Sequence, residues 1–372
     1  MISTALNLET VQVGCDAGFD WPAWDRFVDG CPGGTFYHRS GWLKAVAGGL
    51  GHDIRLHLVR DGGEIGAGAF VRRAAKLGIC AGRKPWGTGY NGVISASGEA
   101  GPLARQLRAE LLRVYHQVRL VQAPGAGVEE WEPPWRVTLS KTPVLDLRDM
   151  GKLWDSFDRR ARQRVRKAEG LGVTAGASAC FGDFADLYRM TYARQGLPMP
   201  LAAKSVEEVL RRVVESGDAR LFMAKTALGE PAAGLLAGFQ VGRVNGSAGK
   251  SGIPHAQRAL RSAAGGRPDV QAGRPHHNGR AWFVLAASHP THRKTDAVTY
   301  LWWHAMEQCA GLVSEIDLVG HGVGRIDQFK SSFSPRLVDH WECEAYGNGP
   351  AGWALRALDL RRRRGRGTED PT

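Results

Sequence analysis

The chain lacks most of the signals that assign a chemistry at sight. Its six cysteines, Cys15, Cys31, Cys80, Cys180, Cys309 and Cys343, lie far apart with no CxxC pair. That excludes a zinc ribbon, a dithiol redox motif and a disulfide framework, and the thiols read as reduced and buried. No run approaches the roughly 20 apolar residues of a membrane-spanning helix. Met1 to Val13 carries Glu9 and no basic stretch ahead of an apolar one, so no secretory signal is read and a cytoplasmic location is expected. His289 and His292 form an HxxH without a neighbouring carboxylate or third ligand, which reads as a solvated loop and not a metal site.

Acidic residues are also in short supply. The net charge is +12, from 49 basic and 37 acidic residues. Its location matters more than its size. The segment 243–280 holds seven basic residues against Asp269, and the tail 361–372, which reads as disordered, holds five arginines against Glu369 and Asp370. Without these two segments the remaining body is only mildly basic, so the charge alone is weak support for a nucleic-acid partner.

Hydrophobic periodicity and turn residues predict an α/β chain. Helices are expected over 20–29, from Trp42 through Ala47, and over 103–117, 153–169, 184–194, 205–215 and 296–310. Strands are expected over 55–59, 65–71, 221–224, 232–239, 281–285, 315–318 and 336–345. Two hairpins stand out. His57 to Phe70 turns at Asp61-Gly62-Gly63, Phe222 to Phe239 turns at Leu228-Gly229-Glu230, and each follows two helices. Two such hairpins about 165 residues apart point to duplication of one α/β unit. Residues 243–280, rich in Gly, Ala, Arg and Pro with no steady apolar period, read as a disordered insertion between two strands.

Four stretches carry a family resemblance. They are Gly34-Thr-Phe-Tyr-His-Arg-Ser-Gly-Trp-Leu-Lys-Ala-Val46; Arg159-Arg-Ala-Arg-Gln-Arg-Val-Arg-Lys-Ala-Glu169 with Gly172-Val173; Ala281 to Ser288 with Lys294-Thr-Asp-Ala297 and Leu301-Trp-Trp-His304; and Asp317 to Phe329-Lys330 with Phe333. In this order the chain resembles the Fem-type (FemAB-like, BioF2-like) GNAT-fold aminoacyltransferases from about Asp20 to Tyr346, outside the insertion. The resemblance implies two tandem GNAT-like domains facing each other across a cleft. The first would be 1–150, completed by 335–360, and the second 151–334. It implies transfer of an aminoacyl group from aminoacyl-tRNA to an amine acceptor, such as a peptidoglycan precursor or a small metabolite, with no cofactor.

The Phe-Lys pair that lies by the reaction centre in that family maps onto Phe329 and Lys330. A fixed ammonium suits this chemistry, since attack of an amine on an ester builds negative charge on the carbonyl oxygen. Asp327 is a candidate proton acceptor, or simply the partner of Lys330. Arg159, Arg162 and Arg166, spaced i, i+3, i+7, form a row suited to phosphates, or a solvated face. Trp42, Lys44 and Tyr90 are further substrate-binding candidates. The rival reading is an acyl-CoA-dependent N-acyltransferase. It expects a Gly-rich pyrophosphate loop at a helix N-terminus, where this chain has Arg293-Lys-Thr-Asp-Ala-Val298.

Overall fold

The computed structural model describes residues 8–98, 101–127, 131–240, 279–320, 322 and 324–366. The elements run β1 (Leu8–Gln12), α1 (Trp21–Gly30), α2 (Ser40–Leu50), β2 (Ile54–Asp61), β3 (Glu64–Lys76), β4 (Ile79–Arg83), β5 (Ile94–Ser95), α3 (Pro102–Val114), β6 (Gln117–Gln122) and β7 (Arg136–Asp146). They continue α4 (Met150–Ser156), α5 (Arg159–Gly170), β8 (Thr174–Ala177), α6 (Phe181–Arg194), α7 (Ala203–Glu215), β9 (Ala219–Lys225), β10 (Pro231–Gln240) and β11 (Arg280–Ser288). Last come α8 (Ala297–Ala310), β12 (Glu315–Asp317), α9 (Gly324–Ser331), β13 (Arg336–Tyr346) and α10 (Pro350–Arg366).

The chain packs as two compact units. The first comprises residues 1–38, 52–140 and 339–372, the second 39–51 and 141–338. Each is built to one plan. In the first, β1 pairs antiparallel with β2, the hairpin β2–β3 continues antiparallel into β4, α3 follows, and β6 returns parallel to β4. In the second, β8 pairs antiparallel with β9, β9–β10–β11 are antiparallel, α8 follows, and β12 returns parallel to β11. Two helices precede the central hairpin in each case, α1 and α2 or α6 and α7. The last strand of each unit comes from elsewhere in the chain. β6 pairs with β13 at Trp341↔Gln122 to Tyr346↔Gln117, and β12 pairs with β7 at Glu315↔Asp146 to Asp317↔Val144. Exchange of the strand that follows the parallel pair thus accompanies the duplication.

The second unit's core gathers Phe222, Leu235, Leu301, Trp302, Ile316 and Phe333. The first unit's gathers Val71, Leu107, Leu111, Tyr115, Val118 and Leu120. Each such side chain contributes about 1.5–3 kcal/mol on burial. Helix α2 groups with the second unit although its sequence lies in the first half. Arg39 pairs with Asp218 at 3.0 Å, Gly41 lets the backbone meet the turn between α7 and β9, and Gly49 lets it meet α7. A Cβ there would stand 2.0 Å from Asp218 Oδ2 and 2.6 Å from Val209 Cγ2, respectively.

Several expectations need correcting. The helix predicted over 153–169 is two helices. Phe157 is buried against Trp303 and Phe333, and Asp158 caps α5 by accepting from the Ala161 N–H. The helix predicted to Gln117 ends at Val114, where Tyr115 swings into extended backbone and leads to β6. Helix α10 continues through Arg361–Arg364 to Arg366, where a disordered tail was expected; residues 367–372 lie outside the described residues. Of the insertion expected at 243–280, residues 243–278 also lie outside them, and Arg280 opens β11. The cysteines are free, but Cys15 and Cys180 are exposed and Cys80 half-buried, so burial holds only for Cys31, Cys309 and Cys343.

Candidate active site

Lys330 lies in the last turn of α9 with its side chain almost fully buried. Its Nζ donates to the carbonyl oxygens of Val319 at 2.6 Å and Gly320 at 2.7 Å. Both residues have left-handed backbone, φ 48° and 78°. For a β-branched valine that conformation is costly, so the ammonium holds a strained loop in place. The loop is tied at both ends by carboxylates. Asp317, wholly buried at the end of β12, accepts from Thr142 Oγ1 at 2.6 Å and from the Val319 N–H at 2.9 Å. Asp327 Oδ2 accepts from the Gly322 N–H at 2.7 Å.

Burial lowers the Lys330 pKa below the ordinary lysine value, because a desolvated ammonium is costly, while Asp327 and Asp317 pull it back up. The outcome is a cation in a low-dielectric setting. Two of its three N–H donors are aimed at neutral carbonyls, which are weaker acceptors than an oxyanion.

Phe329, beside it, packs edge-on against Trp302 at 4.9 Å and Phe333 at 5.2 Å between ring centroids. Phe333 in turn stacks on Trp302. Phe329 therefore anchors α9 to the core through one side chain while its neighbour grips the loop. The start of the basic helix adjoins this assembly, since the Asp158 N–H donates to the Ser332 carbonyl at 3.0 Å. Along α5, Arg159 and Arg166 are exposed and Arg162 is half-buried. Arg166 lies 5.9 Å from the Trp154 ring, and Arg162 Nη1 donates to the Asp155 carbonyl at 3.3 Å. Arg164 and Lys167 turn to Asp296 instead, with Lys167 Nζ 2.7 Å from its carboxylate.

The predicted site residues thus divide. The structure brings Lys330, Phe329 and Asp327 together, with the start of α5 adjoining. Trp42 is fully buried in α2. Lys44 is exposed on the same helix. Tyr90 belongs to the first unit and is buried edge-on against Tyr37 and His340. Sequence reasoning missed Asp317 as a partner of the loop and missed Thr142 altogether. Asp317 opens the motif that ends in Lys330 and was open to notice. Thr142 arrives from a strand 175 residues away and gives no local signal.

At Asp296 the backbone is left-handed, φ 58°, and α8 begins. No glycine lies there, and the carboxylate at that helix start is ion-paired with α5. Among the described residues no group of three or more metal-ligating side chains occurs. His292 instead approaches Glu230 at 3.4 Å.

No family model matches the chain, and no curated protein matches it. Solved structures do. The chain is similar to FemX at a TM-score of 0.59 and 13% identity, over 90% of this chain and 96% of that one. It is similar to a C-terminal domain assigned to a putative lysylphosphatidylglycerol synthetase from Agrobacterium fabrum at 0.52 and 12%, over 87% and 90%. A conserved protein of unknown function from Bacteroides thetaiotaomicron gives 0.53 and 9%, over 92% and 99%. The likeness establishes the fold. This is an α/β chain of two units built to one plan, with the fold of FemX.

Proposed function

We propose that the chain is an acyltransferase of the Fem type, which moves an aminoacyl group from aminoacyl-tRNA to an amine and forms an amide. The observation that carries this reading is the buried Lys330 ammonium, held on a loop of the second unit of a FemX-like fold, with the α5 arginine row starting beside it. The amine nitrogen attacks the ester carbonyl carbon. The C–N bond forms, the C–O bond to the ribose breaks, and the amine proton ends on the ribose hydroxyl, through water or a carboxylate such as Asp327. Lys330 stabilises the oxyanion, and positioning supplies the rest, since an ester is already activated. The acceptor class is an amine-bearing cell-envelope precursor, with peptidoglycan precursors the first to try.

Acyl-CoA is the less favoured donor. Its pyrophosphate needs a Gly-rich loop with open backbone N–H groups at a helix start, and here Arg293-Lys-Thr-Asp-Ala-Val298 leads into α8 without a glycine. The test pairs total charged tRNA in one reaction with labelled acetyl-CoA in another, each with a mixture of amine acceptors. Transfer that is sensitive to ribonuclease and lost in Lys330→Ala is expected. Transfer from acetyl-CoA alone would overturn the donor assignment.

A further inference from the structure

Helix α10 carries an apolar face left open by the described residues of the first unit. One side is docked. Asp359 lies 3.8 Å from Arg119 Nη2, and Gly352 sits where a Cβ would stand 2.0 Å from the Gly347 carbonyl oxygen. The opposite side is open. Trp353 is 66% exposed, Leu358 51% and Leu360 48%. Trp353, Ala357 and Leu360 follow i, i+4, i+7 and share a face, while Leu358 lies about 140° round the helix from Trp353. Large apolar side chains exposed together on one helix are a binding surface more often than an accident. Basic residues accompany them. Arg356 and Arg361 are exposed beside the stripe, and the sequence continues Arg362, Arg363, Arg364 and Arg366 on a helix whose backbone runs to Arg366.

We infer that α10 docks the protein onto an anionic lipid surface. Its Trp and Leu side chains would enter the headgroup boundary and its arginines would pair with lipid phosphates. The combination selects this occupant. A tryptophan and a leucine on one face next to an arginine run suit an interface that is apolar below and anionic above. An RNA would satisfy the arginines and leave Leu360 in water. A second copy would set one arginine run against another. The face is short, so binding is reversible and depends on anionic lipid. The inference is independent of the proposed acyl transfer.

The test is co-sedimentation of the full chain with vesicles of phosphatidylcholine alone, and with vesicles holding about 30% phosphatidylglycerol. Binding to the anionic vesicles only is expected, weakening as salt rises from about 0.1 to 0.5 M. W353S/L360S and R361Q/R362Q/R363Q/R364Q should each reduce it by about tenfold or more, with circular dichroism unchanged. Brominated lipid should quench the wild-type fluorescence more than that of Trp353→Phe, a readout that does not depend on the multiple variants folding. Sedimentation that is absent, that is equal on neutral vesicles, or that persists in W353S/L360S would overturn the inference. So would retention of RNA, but not vesicles, by the arginine run.

Discussion

At the scale of the residue, Lys330 has two duties that variants can separate. It clamps Val319 and Gly320 in left-handed backbone, and it is the proposed electrophile. Lys330→Met keeps the alkyl stem and removes both. The carbonyls of half-buried Val319 and exposed Gly320 then lose their donor, which costs on the order of 1 kcal/mol of stability. The transfer rate should fall by about 100-fold or more. Asp317→Asn separates the duties. Its side-chain oxygen can still accept from Thr142 and the Val319 N–H, so the loop stays tied, but one of the two negative charges that raise the Lys330 pKa is gone while that of Asp327 remains. Activity that needs the charged ammonium is lost as pH rises through the Lys330 pKa. In Asp317→Asn that alkaline limb should move to lower pH while the thermal midpoint changes little. A limb that stays in place in the pH–rate profile would remove Lys330 from the chemistry and leave it as a clamp. Neither tie was visible in the sequence. A Phe-Lys pair is short enough to notice, whereas the Asp317–Thr142 bond depends on β7 pairing with β12.

At the scale of the element, α5 and α2 illustrate what periodicity conveys and what it hides. The basic row of α5 is legible because helical spacing fixes which residues share a face. The break ahead of it is not, because the apolar stripe of α4 runs on through Phe157 without a glycine or proline and only the Asp158 cap divides the helix. Replacing Arg159, Arg162 and Arg166 with Gln should raise KM for charged tRNA and leave kcat nearly unchanged. The salt dependence should flatten by about 0.7 for each single-strand phosphate that is no longer neutralised. An unchanged salt slope would make the row a solvated face. Helix α2 is expected from the sequence, but not its attachment to the second unit, since Gly41 and Gly49 signify close approach only once α7 and the turn after it are known to lie against them. Gly49→Ala puts its Cβ 2.9 Å from the Val209 backbone nitrogen, an overpacking that should cost about 1–3 kcal/mol by chemical denaturation. A neutral Gly49→Ala would show that the two helices separate freely. Strands β6 and β7 went unseen for a related reason. Their surroundings alternate too little, and their pairing partners, β13 and β12, come from the other half of the sequence.

At the scale of the whole molecule, titration is distributed unevenly. Among the described residues four histidines have lowered pKa values, His38, His52, His57 and His340, and all four fall in the first unit. For His38 and His57 burial lowers the value to about 4, and Arg55 adds to the effect on His57. Both are fixed as neutral rings. His38 Nε2 faces the Gly92 carbonyl at 3.1 Å and must donate to it, so its Nδ1 accepts from Thr35. His57 bridges Thr10 at 3.0 Å and Tyr115 at 2.9 Å. As pH falls below the unfolded value of about 6.5, the unfolded chain takes up protons that the folded unit refuses. The stabilisation these rings provide is therefore complete above pH 6.5, declines through the interval, and is gone below about 4. Each ring is worth up to about 3 kcal/mol, and a domain holds only about 5–15 kcal/mol in total. Acidification from pH 7 to 4 should thus open the first unit before the second. Hydrogen exchange read by mass spectrometry at pH 7, 6, 5 and 4 distinguishes them. Peptides from β2, β3 and α3 should lose protection first, while those from β9, β10 and α8 keep theirs. His57→Gln should lower stability at pH 7 yet flatten its fall toward pH 4, because the group that binds the extra proton in the unfolded state is gone. Loss of protection in both units together would mean that the chain unfolds as one cooperative body and that the segregation of its histidines has no thermodynamic consequence.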